Sequence, residues 1–215
     1  VTSNEILPHP PLSGIAAVRN WILDNTPEEC VVMIDDDLKS VKALIGKRPR
    51  TITEPECILR IIENGIQIAH DLDVPLFCWG RIVNPLSIRL YDPISLTSPV
   101  SCSWGMIGRE FRCDERLSDY EDMDLTLQCL LKRRILYCDT RFYFDHGPIF
   151  SGSGGLQGIR TGEGEVSSRK LMTAKWGKYV HFGAGKTSKR VGQYKVTIER
   201  RQKIRLAYDT AKQAL

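Results

Sequence analysis

Val31-Val32-Met33-Ile34-Asp35-Asp36-Asp37 decides the fold: four apolar residues run directly into three carboxylates. An apolar run of this length, bounded by polar residues, predicts a strand buried on both faces. Three like charges at its end are costly unless a cation or a set of donors meets them. In open α/β sheets ligands collect at the carboxyl ends of strands. Hard cations such as Mg²⁺ or Mn²⁺ take carboxylate oxygens and share them with a substrate's phosphates. The stretch therefore predicts a metal–diphosphate site. The competing reading is a solvated acidic turn that caps a following helix.

Working outward, Ile15, Val18, Ile22 and Leu23 fall at helical spacing behind Ser13-Gly14 and predict a helix over 15–25 with those residues as its apolar stripe. Residues 1–13 read as a short strand and a Pro-rich turn. Ile58, Ile61 and Ile62, with Glu54 and Glu56 ahead of them, predict a second helix over 54–70 that Gly65 weakens. Residues 74–79 read as a strand with Pro75 near its start, and residues 86–112 as short strands and loops. Glu121-Asp122-Met123-Asp124 opens a third helix that runs to about residue 133. Residues 135–138 and 141–144 read as strand, ending at Asp145-His146. The glycines from Gly152 to Gly164 predict a mobile loop, and residues 196–214 a last helix.

The composition bounds the class. With 215 residues, 42% hydrophobic and 26% charged, the chain fits one globular domain with an extension. No apolar run reaches 18 residues, so no membrane span is expected, and the N-terminus does not read as a secretory signal. Seven cysteines, an odd number without a Cys-x-x-Cys pair, argue against a disulfide framework or a thiolate zinc site and suggest a reducing cytoplasm. The net charge of +4 is divided unevenly. Residues 1–159 hold 16 Lys and Arg against 22 Asp and Glu, whereas residues 160–205 hold 13 against 3. That division suggests an acidic body joined to a basic surface that meets a polyanion, and the expected layout is a core over 1–150 with a Gly-rich loop and basic region over 151–215 packed on the same domain. A merely solvated basic tail is the alternative.

The order of the features is itself informative: the strand ending in Asp35-Asp36-Asp37, Trp104-Gly105-Met106, a helix opening with Glu121-Asp122, and a strand ending at His146. It resembles the GT-A class of nucleotide-sugar-dependent glycosyltransferases. Within that class the chain is most similar to the TET-associated glycosyltransferases of bacteriophages, thought to sugar-modify hydroxymethylated cytosine in phage DNA. Gly14-Ile15-Ala16-Ala17-Val18-Arg19-Asn20, the Asp triplet and Glu121-Asp122-Met123-Asp124-Leu125 carry the likeness, over about residues 13–146.

The resemblance implies a GT-A-like, Rossmann-like α/β fold: a central mixed sheet flanked by helices, with a basic C-terminal extension. It implies Asp35 and Asp37 as an Asp-x-Asp motif holding Mn²⁺ or Mg²⁺, with His146 completing the metal shell and His181 as the other candidate. Arg19, Asn20, Asp35 and Asp36 would line the donor, a UDP-sugar. Glu121 and Asp122 would face the acceptor, hydroxymethylated bases in DNA, in the cytoplasm of an infected bacterium. Asp122 suits a general base, although a helix-opening carboxylate also suits the macrodipole. A lone Arg19 could equally be a surface residue, and His146 a structural hydrogen-bonding group. Lys186, Lys189, Arg190 and Lys195, beside Tyr194 and His181, would meet the DNA backbone. Other classes fit less well. Lys39 stands where haloacid-dehalogenase phosphatases carry Thr or Val, and Gly185-Lys186-Thr187 lacks the first glycine of a P-loop. A non-catalytic DNA-binding protein on this fold, or a glycosyltransferase acting on protein or a small molecule, are the rival functions.

Overall fold

In the computed structural model, the described residues are 8–45, 48–80, 93–146, 162–182 and 194–196. The chain divides into two compact units, Val1–Ser168 and Arg169–Leu215. In the first unit the apolar run folds as β1 (Cys30–Ile34), followed by a turn at Asp36-Asp37 and then by β2 (Ser40–Ile45) rather than a helix. β2 forms a hairpin with β3 (Arg48–Ile52). After the helix α2 (Pro55–Asp71) come β4 (Leu76–Gly80), β5 (Ile94–Ser95) and β6 (Ser103–Ile107). The helix α3 (Glu121–Lys132) then leads into β7 (Tyr137–Asp145).

These strands form one mixed sheet in the order β1-β6-β4-β7-β2-β3, with β5 added beside β7. β6 is antiparallel to both β1 and β4, and β4 is parallel to β7. The carboxyl ends of β1, β4 and β7 and the start of β6 therefore face the same side of the sheet. β1 is an edge strand. Val31 and Met33 point into the core, Cys30 and Val32 are half-buried and Ile34 is exposed, so the expectation of burial on both faces is corrected to burial on one. The fully covered strands are instead β4 and β6, where Leu76-Phe77-Cys78-Trp79 and Ser103-Trp104-Gly105-Met106 are buried without alternation.

The helices follow local signals. α1 (Ile15–Asn25) starts after Gly14, whose φ of 85° is natural only for glycine. Its inward face is Ala16, Arg19, Asn20 and Leu23, while Ile15, Val18 and Ile22 are half-buried. Of the apolar stripe read from the sequence, Leu23 lies on the face that goes in, while Ile15, Val18 and Ile22 flank it. Pro55 at the start of α2 and His70 in its last turn suit the termini. Gly65 is buried against the Trp79 ring, so closely that a Cβ there would stand 2.9 Å from Trp79 Cζ2. α3 has acidic residues in its first turn, and Met123, Leu125, Leu127, Cys129 and Leu130 are buried around its circumference.

The glycine-rich loop expected up to residue 164 stops short: Gly162 and Gly164 lie in α4 (Gly162–Trp176), whereas 147–161 fall outside the described residues. The second unit holds an antiparallel pair, β8 (Val180–Phe182) and β9 (Tyr194–Val196). Val196 ends a strand rather than beginning the last helix, and 197–215 lie outside the described residues. No disulfide forms: all seven cysteines are free thiols, four of them buried. Among the described residues no helix is long and apolar enough to cross a membrane.

Candidate functional site

The segment from Asp35 to Lys39 is anchored at both ends to the sheet's carboxyl side. Asp35 N donates to Cys102 O at 3.1 Å, just ahead of β6, and Lys39 N donates to Asp145 O at 2.8 Å, at the end of β7. Two side-chain clusters form around this strap.

The first is built on Arg19, which is only 4% exposed. Its Nη1 donates to Glu121 Oε1 at 2.7 Å and its Nη2 to Asp35 Oδ1 at 3.0 Å. The Trp104 ring lies under the guanidinium, with Cζ 5.7 Å from its centroid, a cation–π distance. Burial opposes the charge on Arg19, but Glu121 and then Asp35 outweigh it and hold its pKa above the ordinary value. The surface reading of Arg19 is thereby corrected. The buried Cys113 thiol nearby is pushed up to about 12, chiefly by burial, with Arg19 acting against the rise.

The second cluster centres on His146. His146 Nδ1 and Asp37 Oδ1 are 2.7 Å apart, and His146 Nε2 lies 3.1 Å from Ser103 Oγ. Asp37 itself is largely exposed. Next to it, Lys42 pairs with Asp145, an ion pair that raises the lysine's pKa, and lies 5.8 Å from the Tyr143 ring centroid.

Three stretches far apart in sequence thus converge: the strap after β1 with the opening of α3 through Arg19, and the strap with the end of β7 through His146. Asp122 is half-buried beside Glu121, and its Oδ1 accepts from Met123 N at 2.7 Å. Asp36 is an exposed turn residue. Asn20 is turned to scaffold work. Its Nδ2 donates to Cys113 O and Glu115 Oε1, and its Oδ1 accepts from Cys113 N. Lys186, Lys189 and Arg190 lie outside the described residues. Lys195 sits in β9 opposite His181, both within the second unit. Ser103, Lys42 and Asp145 escaped the sequence reading. Nothing in a lone serine ahead of Trp104 signals a histidine partner.

Among the described residues no three His, Cys, Asp or Glu side chains converge as a metal-ligating group. The Asp37–His146 pair offers one oxygen and one nitrogen donor side by side. The carboxylate oxygen suits a hard cation, whereas the imidazole nitrogen suits a transition metal better than Mg²⁺, so of the two expected ions the pair is chemically nearer to Mn²⁺.

Comparison of the chain with protein-family models, with curated proteins and with solved structures returns no match in any of the three.

Proposed function

We propose that the protein is a metal-dependent glycosyltransferase of GT-A type that moves a sugar from a nucleotide-sugar, a UDP-sugar in this reading, to hydroxymethylated cytosine in DNA. One observation carries it: the acidic strap at the carboxyl end of β1 meets Glu121 at the opening of α3 through Arg19, and meets His146 at the end of β7 through Asp37. These are the stretches that the donor, the acceptor and the metal would each need.

In this reading Asp37 and His146 Nδ1 would hold the cation, and Ser103 would orient the imidazole from its other nitrogen. A cation bound there would offset the charge of the leaving diphosphate. In an inverting reaction Asp122 accepts the proton of the hydroxymethyl group as its oxygen bonds to the sugar's anomeric carbon and the bond to the diphosphate oxygen breaks. Glu121, engaged by Arg19, orients rather than transfers protons. The choice of DNA as acceptor rests on charge: residues 160–205 carry 13 Lys and Arg against 3 Asp and Glu, the composition of a polyanion-binding surface.

The test is transfer to duplex DNA containing hydroxymethylcytosine from a panel of UDP-sugars, with and without Mn²⁺, read by mass spectrometry of the nucleosides. A sugar-sized mass gain on hydroxymethylcytosine that requires the metal is expected. Donor hydrolysis without transfer to DNA would move the acceptor to protein or a small molecule. Neither transfer nor hydrolysis, together with retained DNA binding, would leave the non-catalytic reading.

A further inference from the structure

Arg19 stands between the two sides of the proposed reaction, and its surroundings say how it acts. Both terminal nitrogens are engaged, each on a different carboxylate, and its central carbon lies 5.7 Å from the Trp104 ring centroid. The guanidinium keeps further N–H groups, but a donor phosphate reaching for them would meet Glu121 and Asp35, two carboxylates that already offset the arginine's charge and repel another anion. The placement of Arg19 also owes nothing to a ligand. One residue on, Asn20 pins α1 to the backbone of Cys113. At the other end of the helix, the Arg109 guanidinium donates to the carbonyls of Leu23 and Thr26. The scaffold presents Arg19, and Arg19 presents the carboxylates.

We propose that Arg19 is a positioning residue that locks Asp35, on the diphosphate side, to Glu121, at the acceptor side, and that it does not itself grip the donor. This inference rests on the glycosyl-transfer reading above. A planar fork can bridge two carboxylates at once; an ammonium, a point charge, cannot hold both in the same geometry. Loosening the bridge therefore shifts the opening of α3, and with it Asp122, relative to the strap, while leaving Asp37 and His146 together. Misplacement of about 1 Å between reacting groups costs on the order of a hundredfold in rate.

The experiment compares Arg19→Lys, Glu121→Gln and the double variant with the wild type. Affinity for UDP plus Mn²⁺ is measured by calorimetry. Transfer to hydroxymethylated DNA and hydrolysis of the same donor are measured at saturation. Expected for each single variant are UDP affinity within about twofold of wild type, transfer turnover lower by roughly a hundredfold, and a raised ratio of hydrolysis to transfer. A merely structural role would not move that ratio. The double variant should be no slower than the slower single one, because both changes cut the same link.

Loss of UDP affinity with unchanged saturated turnover would overturn the proposal and make Arg19 a donor ligand. Multiplying effects in the double variant would overturn it as well. Should Arg19→Lys fail to fold, the near-isosteric Glu121→Gln decides alone, by the same two readouts. A wild type that neither binds UDP with Mn²⁺ nor turns over any donor refutes the glycosyl-transfer reading and this proposal together. An active wild type with affinity-defective variants refutes this proposal only.

Discussion

Gly105 sits in β6 between Val32 of β1 and Phe77 of β4, its register partners on either side. A Cβ added there would lie 2.2 Å from Phe77 Cζ, 2.6 Å from Cε1 and 2.8 Å from Cε2. Carbon atoms rest about 3.5–4.0 Å apart, so the ring must retreat by about 1.3 Å or more. It has little room: Phe77 is fully buried and meets Trp79 edge-on, with centroids 5.7 Å apart. Overpacking of a tight core costs about 1–3 kcal/mol, and a methyl driven into a ring from its rim belongs at the upper end. Against this, alanine narrows the unfolded ensemble and returns about 0.4–1 kcal/mol. The net destabilisation of Gly105→Ala is then about 2–2.6 kcal/mol, which for a chain of this size lowers Tm by about 4–10 °C. Circular-dichroism melting together with urea unfolding measures it, with the urea midpoint falling at unchanged slope. Adding Phe77→Leu to Gly105→Ala should recover part of the loss. A Gly105→Ala protein that melts within about 2 °C of wild type would refute the packing described for the centre of the sheet.

Asp37→Ala should abolish transfer and Mn²⁺-dependent nucleotide binding, because the cation loses its oxygen donor beside His146, while the fold survives the loss of an exposed side chain; wild-type turnover would refute the metal assignment. Asp122→Asn should keep nucleotide affinity and lower transfer by roughly a hundredfold or more in steady-state kinetics, the usual range for a lost general base. Changing Lys189 and Arg190 together to Ala should shallow the log–log salt slope of DNA affinity by about two, read by fluorescence titration, and leave donor hydrolysis unchanged. Thiol labelling of the folded protein at neutral pH should modify the exposed Cys57 and spare Cys113, whose raised pKa keeps it protonated and whose burial shields it; mass mapping of the labelled sites decides this.

Much of the frame was legible because the strongest signals are local. Pro55 and the isoleucines of α2, the acidic opening of α3 and the apolar run of β1 each act within a few residues of themselves. What escaped depends on partners remote in sequence. The stripe of Ile15, Val18 and Ile22 misled because the inward face of α1 carries Arg19 and Asn20, polar residues buried by partners about a hundred positions away. Hydrophobic periodicity cannot detect a face satisfied by Glu121 and the Cys113 backbone. The β2–β3 hairpin carries Lys42, Arg48 and Arg50, so it lacks a clear apolar alternation, and its place beside β7 is a matter of tertiary pairing. In the site, Asp35 and Asp37 were singled out by residue type and position, whereas Glu121 and His146 were named only through the family resemblance. The way they pair, through Arg19 and Ser103, is geometry that spacing does not encode.

The connectivity of the sheet also governs when this site can come into being. β1 has no strand neighbour until β6 is made, about seventy residues later, and β4 waits for β6 and β7. Arg19 reaches Asp35 early, across 16 positions, but Glu121 joins only across 102 and His146 meets Asp37 only across 109. Loop closures of that length are entropically costly and slow. On a ribosome adding about 5–20 residues per second, the acidic strap is exposed for seconds before its last partner emerges. Until β6 and β7 emerge, the apolar β1 lacks the strand that covers its edge and β2 lacks β7, so chaperone demand and sensitivity to truncation should be greatest before β7 is complete.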